Sequence, residues 1–484
     1  MKKSVSSIAL SACALGLLTA SYSAAQPTLL AVGTLDQSRA GSFADLSGLT
    51  YSLENGAPAN LLGGLGSALA YANGYTFLAL PDRGPNAIPV NAPIDMTASY
   101  VNRFHTITMD LEPNTSGALL PPYNLNLPYK LTPTLRATTL LWSLTPLVYG
   151  TGTGLGVGSG VPPINNFLQH FFTGRSDNFD PNHNSGDAND ARFDTEGMRL
   201  SNDGLRVYIS DEYGPYIYEF DRLTGVRLRS FQLPSSFYVT KLFPVGATEI
   251  SMNTSGRTAN KGMEGLAITP DGTTLVGIMQ AALIQDANEA TTANPAPGSL
   301  LHIVTIDILS GHVTHQYAYL LTHGSGVSEI CAINNHEFLV DERDGAGREG
   351  KSDGSSNSAV FKQLFKIDLN GAVDVSGMDG IAAAAHAVNK SLFLDIVPTL
   401  TSLGIGPKDI PAKIEGVALG PDIKKDGKTL HTLWIANDND FLSQTADASP
   451  KPNDNDIFVF GFTDADLDGS PLVPQQFRGL ALLF

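Results

Sequence analysis

Glu196-Gly197-Met198-Arg199-Leu200, a turn at Asn202-Asp203-Gly204, Val207-Tyr208-Ile209-Ser210 and then Asp211-Glu212-Tyr213-Gly214 read as one β-hairpin. Two apolar strands are joined by residues suited to a tight reversal, and a charged cluster follows. The same grammar returns at Glu264-Gly265-Leu266-Ala267-Ile268, with Pro270-Asp271-Gly272 as the turn, Leu275 to Met279 as the second strand and Gln280 at its end. A third copy runs from Glu329-Ile330-Cys331-Ala332-Ile333 through Phe338-Leu339-Val340 to Asp341-Glu342-Arg343-Asp344. A fourth runs from Glu415-Gly416-Val417-Ala418-Leu419 through Leu433-Trp434-Ile435-Ala436 to Asn437-Asp438-Asn439-Asp440. A weaker one, Gly66 to Leu69, Asn73-Gly74, Phe77 to Leu80 and Asp82-Arg83-Gly84, has Leu65 in place of the acid.

Further candidate strands follow several hairpins, as at Tyr216 to Phe220, Arg227 to Leu233 and Leu364 to Asp368. Four strands per repeated unit predict the blades of an all-β propeller. Five copies are visible, and the interval between Gly84 and Glu196 has room for one degenerate blade, so six blades are expected. The copies stand roughly 65 to 150 residues apart, beyond the ~40 to 50 of compact propeller repeats, so long loops must decorate the blades. One insertion is expected over about 113–194, with a Gly-rich run from Thr151 to Gly160, a short helix from Asn165 to Phe172 and an Asn/Asp-rich stretch from Asp177 to Asp190. A second, over about 374–393, has a helix of two or three turns at Ala382 to Ala385.

The first 25 residues carry Lys2 and Lys3, an apolar run from Ile8 to Ala20 and the small residues Ser23, Ala24 and Ala25. That is the order of a secretory signal peptide, which places the remainder, 26–484, as a single propeller domain in the periplasm or outside the cell. Leu10-Ser11-Ala12-Cys13 matches the pattern before a lipidated cysteine, but too little apolar sequence precedes it. No later segment approaches the ~20 apolar residues of a spanning helix. The net charge of −17 repels nucleic acid and anionic lipid and tolerates bound cations. Cys331 is the one cysteine after the signal, so an intramolecular disulfide is excluded, and its apolar neighbours make it a core residue. The chain is expected to be a monomer.

In a propeller the innermost strand of each blade begins at the mouth where the second, antiparallel strand ends. Glu196, Glu264, Glu329 and Glu415 therefore ring one opening together with Asp82-Arg83, Asp211-Glu212, Asp341-Glu342-Arg343 and Asn437-Asp438. Carboxylates crowded in this way repel unless protonated, paired or neutralised by a cation. Rings of Asp, Glu and Asn oxygens suit a hard ion, and Ca²⁺ is the natural one outside the cell. The plainer alternative is that a glutamate before glycine hydrogen-bonds backbone amides at each blade junction.

The motifs Leu78-Ala79-Leu80-Pro81-Asp82-Arg83-Gly84, Asp194-Thr195-Glu196-Gly197-Met198, Ser210-Asp211-Glu212-Tyr213-Gly214, Asn260 to Ala267, Phe338 to Asp344, Ile414-Glu415-Gly416-Val417-Ala418 and Asn437 to Phe441 together resemble the phytase-like propeller family, described by the esterase-like activity of phytase. The resemblance covers most of the chain after Gly63. It implies a hydrolase of phosphoester or carboxyl-ester bonds, more distantly similar to calcium-bearing six-bladed lactonases and phytases. The family pattern does not itself assign catalytic residues here.

The expected arrangement is a cation held by Glu196, Glu264, Glu329, Glu415 and Asp438. Arg83 or Arg343 would grip an anionic group of a small ester or phosphoester, and one of Asp82, Asp211 and Asp341 would act as general base. The competing expectation is a propeller that binds a ligand or protein without turnover, its acid ring structural.

Other motifs are set aside on context. Gly345 to Ser352 matches a Walker A loop, and Gly350-Lys351-Ser352-Asp353-Gly354 a nucleophile elbow, yet Asp353 to Asn357 does not make the helix both require. Asp464-Ala465-Asp466-Leu467-Asp468-Gly469 reproduces half of an EF-hand loop, with Gln475 where the bidentate glutamate belongs. His170, His183, His302, His312, His315 and His323 have no zinc-ligand spacing.

Overall fold

A computed structural model describes residues 26–35, 44–86, 97–150, 158–214, 216–287, 298–322, 324–348, 357–445 and 449–478. The signal sequence with Cys13, and the stretch from Gly350 to Gly354, lie outside them.

The chain opens with β1 (Thr28–Thr34) and then lays down blade one, β2 (Ala68–Asn73), β3 (Thr76–Leu80), β4 (Arg103–Pro113) and β5 (Tyr129–Leu140). A two-stranded ribbon, β6 (Trp142–Ser143) with β7 (His170–Phe171), precedes blade two, β8 (Thr195–Leu200), β9 (Arg206–Asp211), β10 (Ile217–Asp221) and β11 (Arg227–Phe231). Helix α1 (Gly246–Met252) leads to blade three, β12 (Met263–Ile268), β13 (Thr274–Met279), β14 (Leu300–Asp307) and β15 (Val313–Leu320). Blade four is β16 (Gly326–Ala332), β17 (Glu337–Arg343), β18 (Lys362–Asp368) and, after helix α2 (Gly380–Ala384), β19 (Lys390–Asp395). Helix α3 (Ile396–Ser402) is followed by blade five, β20 (Lys413–Leu419), a short β21 (Ile423–Lys425), β22 (Lys428–Asp438) and β23 (Asp456–Phe462). β1 returns as the outermost strand of blade five, antiparallel to β23 from Thr28↔Gly461 to Thr34↔Asp456.

The ring therefore has five blades and not the six expected from the sequence. Among its described residues the interval between Gly84 and Glu196 holds no extra blade; it supplies β4 and β5, the outer half of blade one. The insertion expected over 113–194 accordingly begins inside that blade. Within it, 165–172 is not helical. Asn165 and Asn166 accept backbone N–H bonds from Phe171, Leu168 and Gln169, which hold a turn in place of a helix. In the second insertion α2 is five residues long, shorter than expected, and Lys390 to Asp395 forms the outer strand of blade four.

Inner strands are buried along both faces, as β8 and β12 show over their whole length, while the outer β11 and β19 are half-exposed. The glycine after Glu196, Glu264 and Glu415 has a steric reason. A Cβ on Gly197 would stand 2.6 Å from Leu266 N, and one on Gly265 would stand 2.8 Å from Ile330 N. The inner strands thus approach so closely at one end that only glycine fits. Successive inner strands β2, β8, β12, β16 and β20 pack against one another around the axis, β20 closing on β2.

Two features obstruct the central channel. Arg199 on β8 donates to the carbonyls of Leu69, Met198, Ile330 and Val417, reaching four blades at once. At the end away from the acids, the segment 472–478 crosses the opening. Val473 N bonds Ile333 O at 2.9 Å, Gln476 N bonds Pro270 O at 2.8 Å, and Gln475 Nε2 bonds Leu200 O at 2.7 Å.

Candidate functional site

The acidic mouth is built by backbone register. Inner strands β8, β12 and β20 each open with a bulge that carries Glu196, Glu264 or Glu415, one residue before the close-packed glycine. The second strands end at the same mouth with Asp211, Asp341-Glu342-Arg343 and Asp438, and Asp82-Arg83 follow β3.

Blade four departs from this pattern. Its bulge residue is Ser328, and Glu329 pairs with Asp341 at the register position that glycine holds elsewhere. The Glu329 carboxylate accepts from the amides of Leu266 and Ile330, both at 3.0 Å, and lies 3.1 Å from Arg199 Nη2. Glu329 is thus part of the channel wall and is not grouped with the other ring glutamates.

Asp194, Glu196 and Glu212 are buried, and one oxygen of each lies within 4.8 Å of the others. Arg83 is the cation beside them. Its Nη1 is 2.9 Å from Asp194 Oδ2 and 4.0 Å from Glu212 Oε2, and it also donates to Asn260 Oδ1. Glu212 Oε1 and Glu264 Oε2 are buried with no hydrogen-bond partner among the described residues. Burial first, then the charges of Glu264 and Asp194, pushes Glu196 and Glu212 well above the ordinary carboxylate range, and Glu212 and Glu415 add to the shift of Glu196. Burial and Glu415 lift Glu264 to about 8, against the opposing charge of Arg343.

A second trio, Asp82, Asp438 and Asp440, also has oxygens within 4.8 Å of one another. Lys413 neutralises part of it, bonding Asp438 Oδ2 at 2.7 Å and also Asp440. Burial lifts Asp438 to about 6 and Asp82 well above its usual range; for Asp440 burial is the largest single influence, but Lys413, Arg83 and Arg343 together outweigh it and hold the group low. The trios are electrostatically continuous, since Asp194 and Arg83 both act on Asp82.

The remaining residues have definite posts. Asp211 Oδ1 accepts from the amides of Asp194 and Tyr213, at 3.1 and 2.9 Å, and burial lifts this carboxyl to about 7. Asp341 is 1 % exposed and, among the described residues, neither of its oxygens has a hydrogen-bond partner; burial raises it well above range despite Arg343 and Lys362 nearby. Arg343 bonds Glu415, and its Nε donates to Ser328 Oγ at 2.8 Å. Four members of the trios were not in the expected ligand set: Asp82, expected as a general base, and Asp194, Glu212 and Asp440. Each of the last three stands one or two residues from a predicted acid, and that spacing was the available signal.

An oxygen-only set with orphaned buried carboxylate atoms fits a hard divalent cation. The half EF-hand does not. Its Asp466 caps a 3₁₀ turn at Thr463, and Asp464 bonds His431 and the Leu472 amide. The Asn/Asp-rich stretch is likewise engaged, Asp177 with Arg175 and Asp187 with His183.

No helix among the described residues is long and apolar enough to cross a membrane. An uncharacterized secreted protein of Arthroderma benhamiae is 26% identical over 308 residues, which is 53% of this chain and 59% of that protein. Among solved structures, a luciferin-regenerating enzyme is similar at a TM-score of 0.32 and 9% identity, covering 87% of this chain and 97% of the other. The WD40 domain of Toxoplasma gondii coronin is similar at 0.28 and 9%, covering 91% and 87%. Values this low bear on neither fold nor chemistry. The Phytase-like family, described as "Esterase-like activity of phytase", matches residues 60–441, a span that begins before β2 and ends just beyond β22, and the chain belongs to that family.

Proposed function

We propose that this protein is an exported hydrolase of phosphate or carboxylate esters, working with calcium at the acidic mouth of the channel. The observation that carries the reading is the buried trio Asp194, Glu196 and Glu212 beside Glu264, with Glu212 Oε1 and Glu264 Oε2 lacking any partner among the described residues. Leaving buried carboxylate atoms unmatched is costly unless a proton or a cation accompanies them. The family description supports ester hydrolysis, and the secreted relative together with the signal-like first 25 residues supports export.

Glu196, Glu264, Glu415 and the acids next to them would hold the ion, with Asp438 serving the second trio. A calcium ion bound there supplies a Lewis acid for the ester oxygen and lowers the pKa of water. Arg83 and Arg343, both at the rim, orient the anionic side of a small-molecule substrate. Among Asp82, Asp211 and Asp341, the third has the most unengaged oxygen and is the preferred general base.

The ion pairs favour a second reading. Arg83–Asp194 joins blade one to blade two, and Arg343–Glu415 joins blade four to blade five. In that reading the ring is structural and the propeller binds without turnover.

Hydrolysis of chromogenic phosphate and short-chain acyl esters, with calcium and with chelator, separates the two. The hydrolase reading expects activity that falls with chelator and drops about a hundredfold in Glu264→Gln, the scale of losing one electrostatic contact to the transition state. Turnover indifferent to both changes sinks the mechanism, and absence of turnover on every ester leaves the binding reading.

A further inference from the structure

Between blades three and four, next to the acidic mouth, lies a cavity of about 320 Å³ lined by Lys261, Gln280, Ser325, Ser328, Arg343 and Asp344. It adjoins the carboxylate ring, because Gln280 hydrogen-bonds Glu264 and Arg343 bonds Glu415.

Its charge is opposite to that of the chain, whose net charge is −17. The Asp344 carboxylate is fully engaged, by Lys362 Nζ at 3.0 Å and by the amides of Ala346, Val360 and Phe361. Glu342, which accepts from Ser325, is held by Lys390 and Tyr319. Around the mouth, Arg83, Arg343, Lys362 and Lys413 each pair with a carboxylate. Lys261 is exposed and, among the described residues, forms no ion pair, although it borders the most acidic part of the molecule. Ser328 Oγ accepts from Arg343 Nε, which leaves its own hydrogen available to donate.

We propose that this cavity is a subsite for the phosphate of a phosphomonoester, held by the Lys261 ammonium and the Ser328 hydroxyl, with Arg343 adding charge. Three groups from three separate places, the turn before β12, the bulge of β16 and the end of β17, match the three acceptor oxygens of a phosphate better than the two of a carboxylate. A strongly acidic surface repels a dianion, and a local cationic pocket is what admits one. The inference deepens the hydrolase reading, on which its meaning for substrate choice rests, by naming phosphate over acyl esters.

The anion site is tested without turnover, by calorimetric titration of inorganic phosphate into the full chain at low ionic strength. Saturable binding is expected, weakened about tenfold in Lys261→Gln, the scale of one lost charge-assisted hydrogen bond. Lys261→Arg restores it and Lys261→Glu abolishes it. Lys428→Gln, which removes the same charge at the far end of blade five, leaves it unchanged. Acetate at the same concentration does not displace phosphate. Phosphate binding that is absent, equal in wild type and Lys261→Gln, or displaced by acetate overturns the proposal. A chain that binds phosphate through Lys261 but hydrolyses no ester refutes the hydrolase reading and keeps the subsite. A chain that hydrolyses esters without binding phosphate does the reverse.

Discussion

Arg199 of blade two and Glu329 of blade four meet across the channel, Nη2 to Oε2 at 3.1 Å, while the same guanidinium donates to carbonyls of blades one, two, four and five. Both side chains are buried. The pair therefore ties non-adjacent blades together from inside the ring.

Replacing Arg199 by Met leaves the buried Glu329 carboxyl without its cation and several carbonyls without a donor. The expected loss is about 3–5 kcal/mol in urea unfolding, the range for breaking a buried pair from one side. Glu329→Gln should cost less, and the double variant less than the sum of the two. A change under about 1 kcal/mol in Arg199→Met would contradict the tie.

Burial lifts Glu329 to about 7 against the pull of Arg199, from 4.5 for the unperturbed group. The folded chain then keeps a proton that the unfolded chain releases, so this group lowers stability as pH rises from about 4.5 to about 7 and has no further effect above. The full span corresponds to about 3 kcal/mol. Melting temperature against pH should flatten over that interval in Glu329→Gln, and parallel curves for variant and wild type would argue against it.

Calcium added to the chelated protein should raise its melting temperature, by about 2.7 kcal/mol of stability at a hundredfold excess over Kd. Glu196→Gln and Glu212→Gln should shrink the increment, since both alter the same trio. Equal increments in wild type and both variants would place the ion elsewhere.

Lys413→Met removes the cation that bonds Asp438 and Asp440. A stability loss of about 2 kcal/mol is expected without calcium, below the fully buried range because Lys413 is partly exposed. Calcium should recover part of the loss, because the oxygens of Asp82, Asp438 and Asp440 remain within 4.8 Å of one another. No recovery would show that this trio does not take an ion.

Cys331 lines a cavity of about 300 Å³ covered by Leu472, Val473, Pro474 and Gln475. Ending the chain at Ser470 should make this thiol react about tenfold or more faster with a chromogenic disulfide, since reactivity follows access to the thiolate. An unchanged rate would mean that the strap does not shield it.

Hairpins were legible in the sequence because their signals are local. Asp203 and Asp271 accept from the amides two residues on, at Leu205 and Thr273, and so set the turns that the pattern announces. Convergence of Glu196, Glu264 and Glu415 was legible for the same reason, as it follows from strand direction alone. Glu329 was not, because one bulge shifts it by a single residue and turns its side chain away. Nor was the blade count. A run such as Thr28 to Thr34 carries no mark of the partner it meets at Asp456 to Phe462.

That last pairing sets an order of assembly. The first strand of the ring finds its hydrogen-bond partner only when the final one exists, so a chain emerging from its amino end carries Thr28 to Thr34 as a bare edge until Asp456 to Phe462 has been made. Closure is a contact of very long sequence separation and is expected to come late and slowly. Until it does, the molecule is an open crescent with an adhesive strand at each tip, able to zip to a neighbour's strand as readily as to its own.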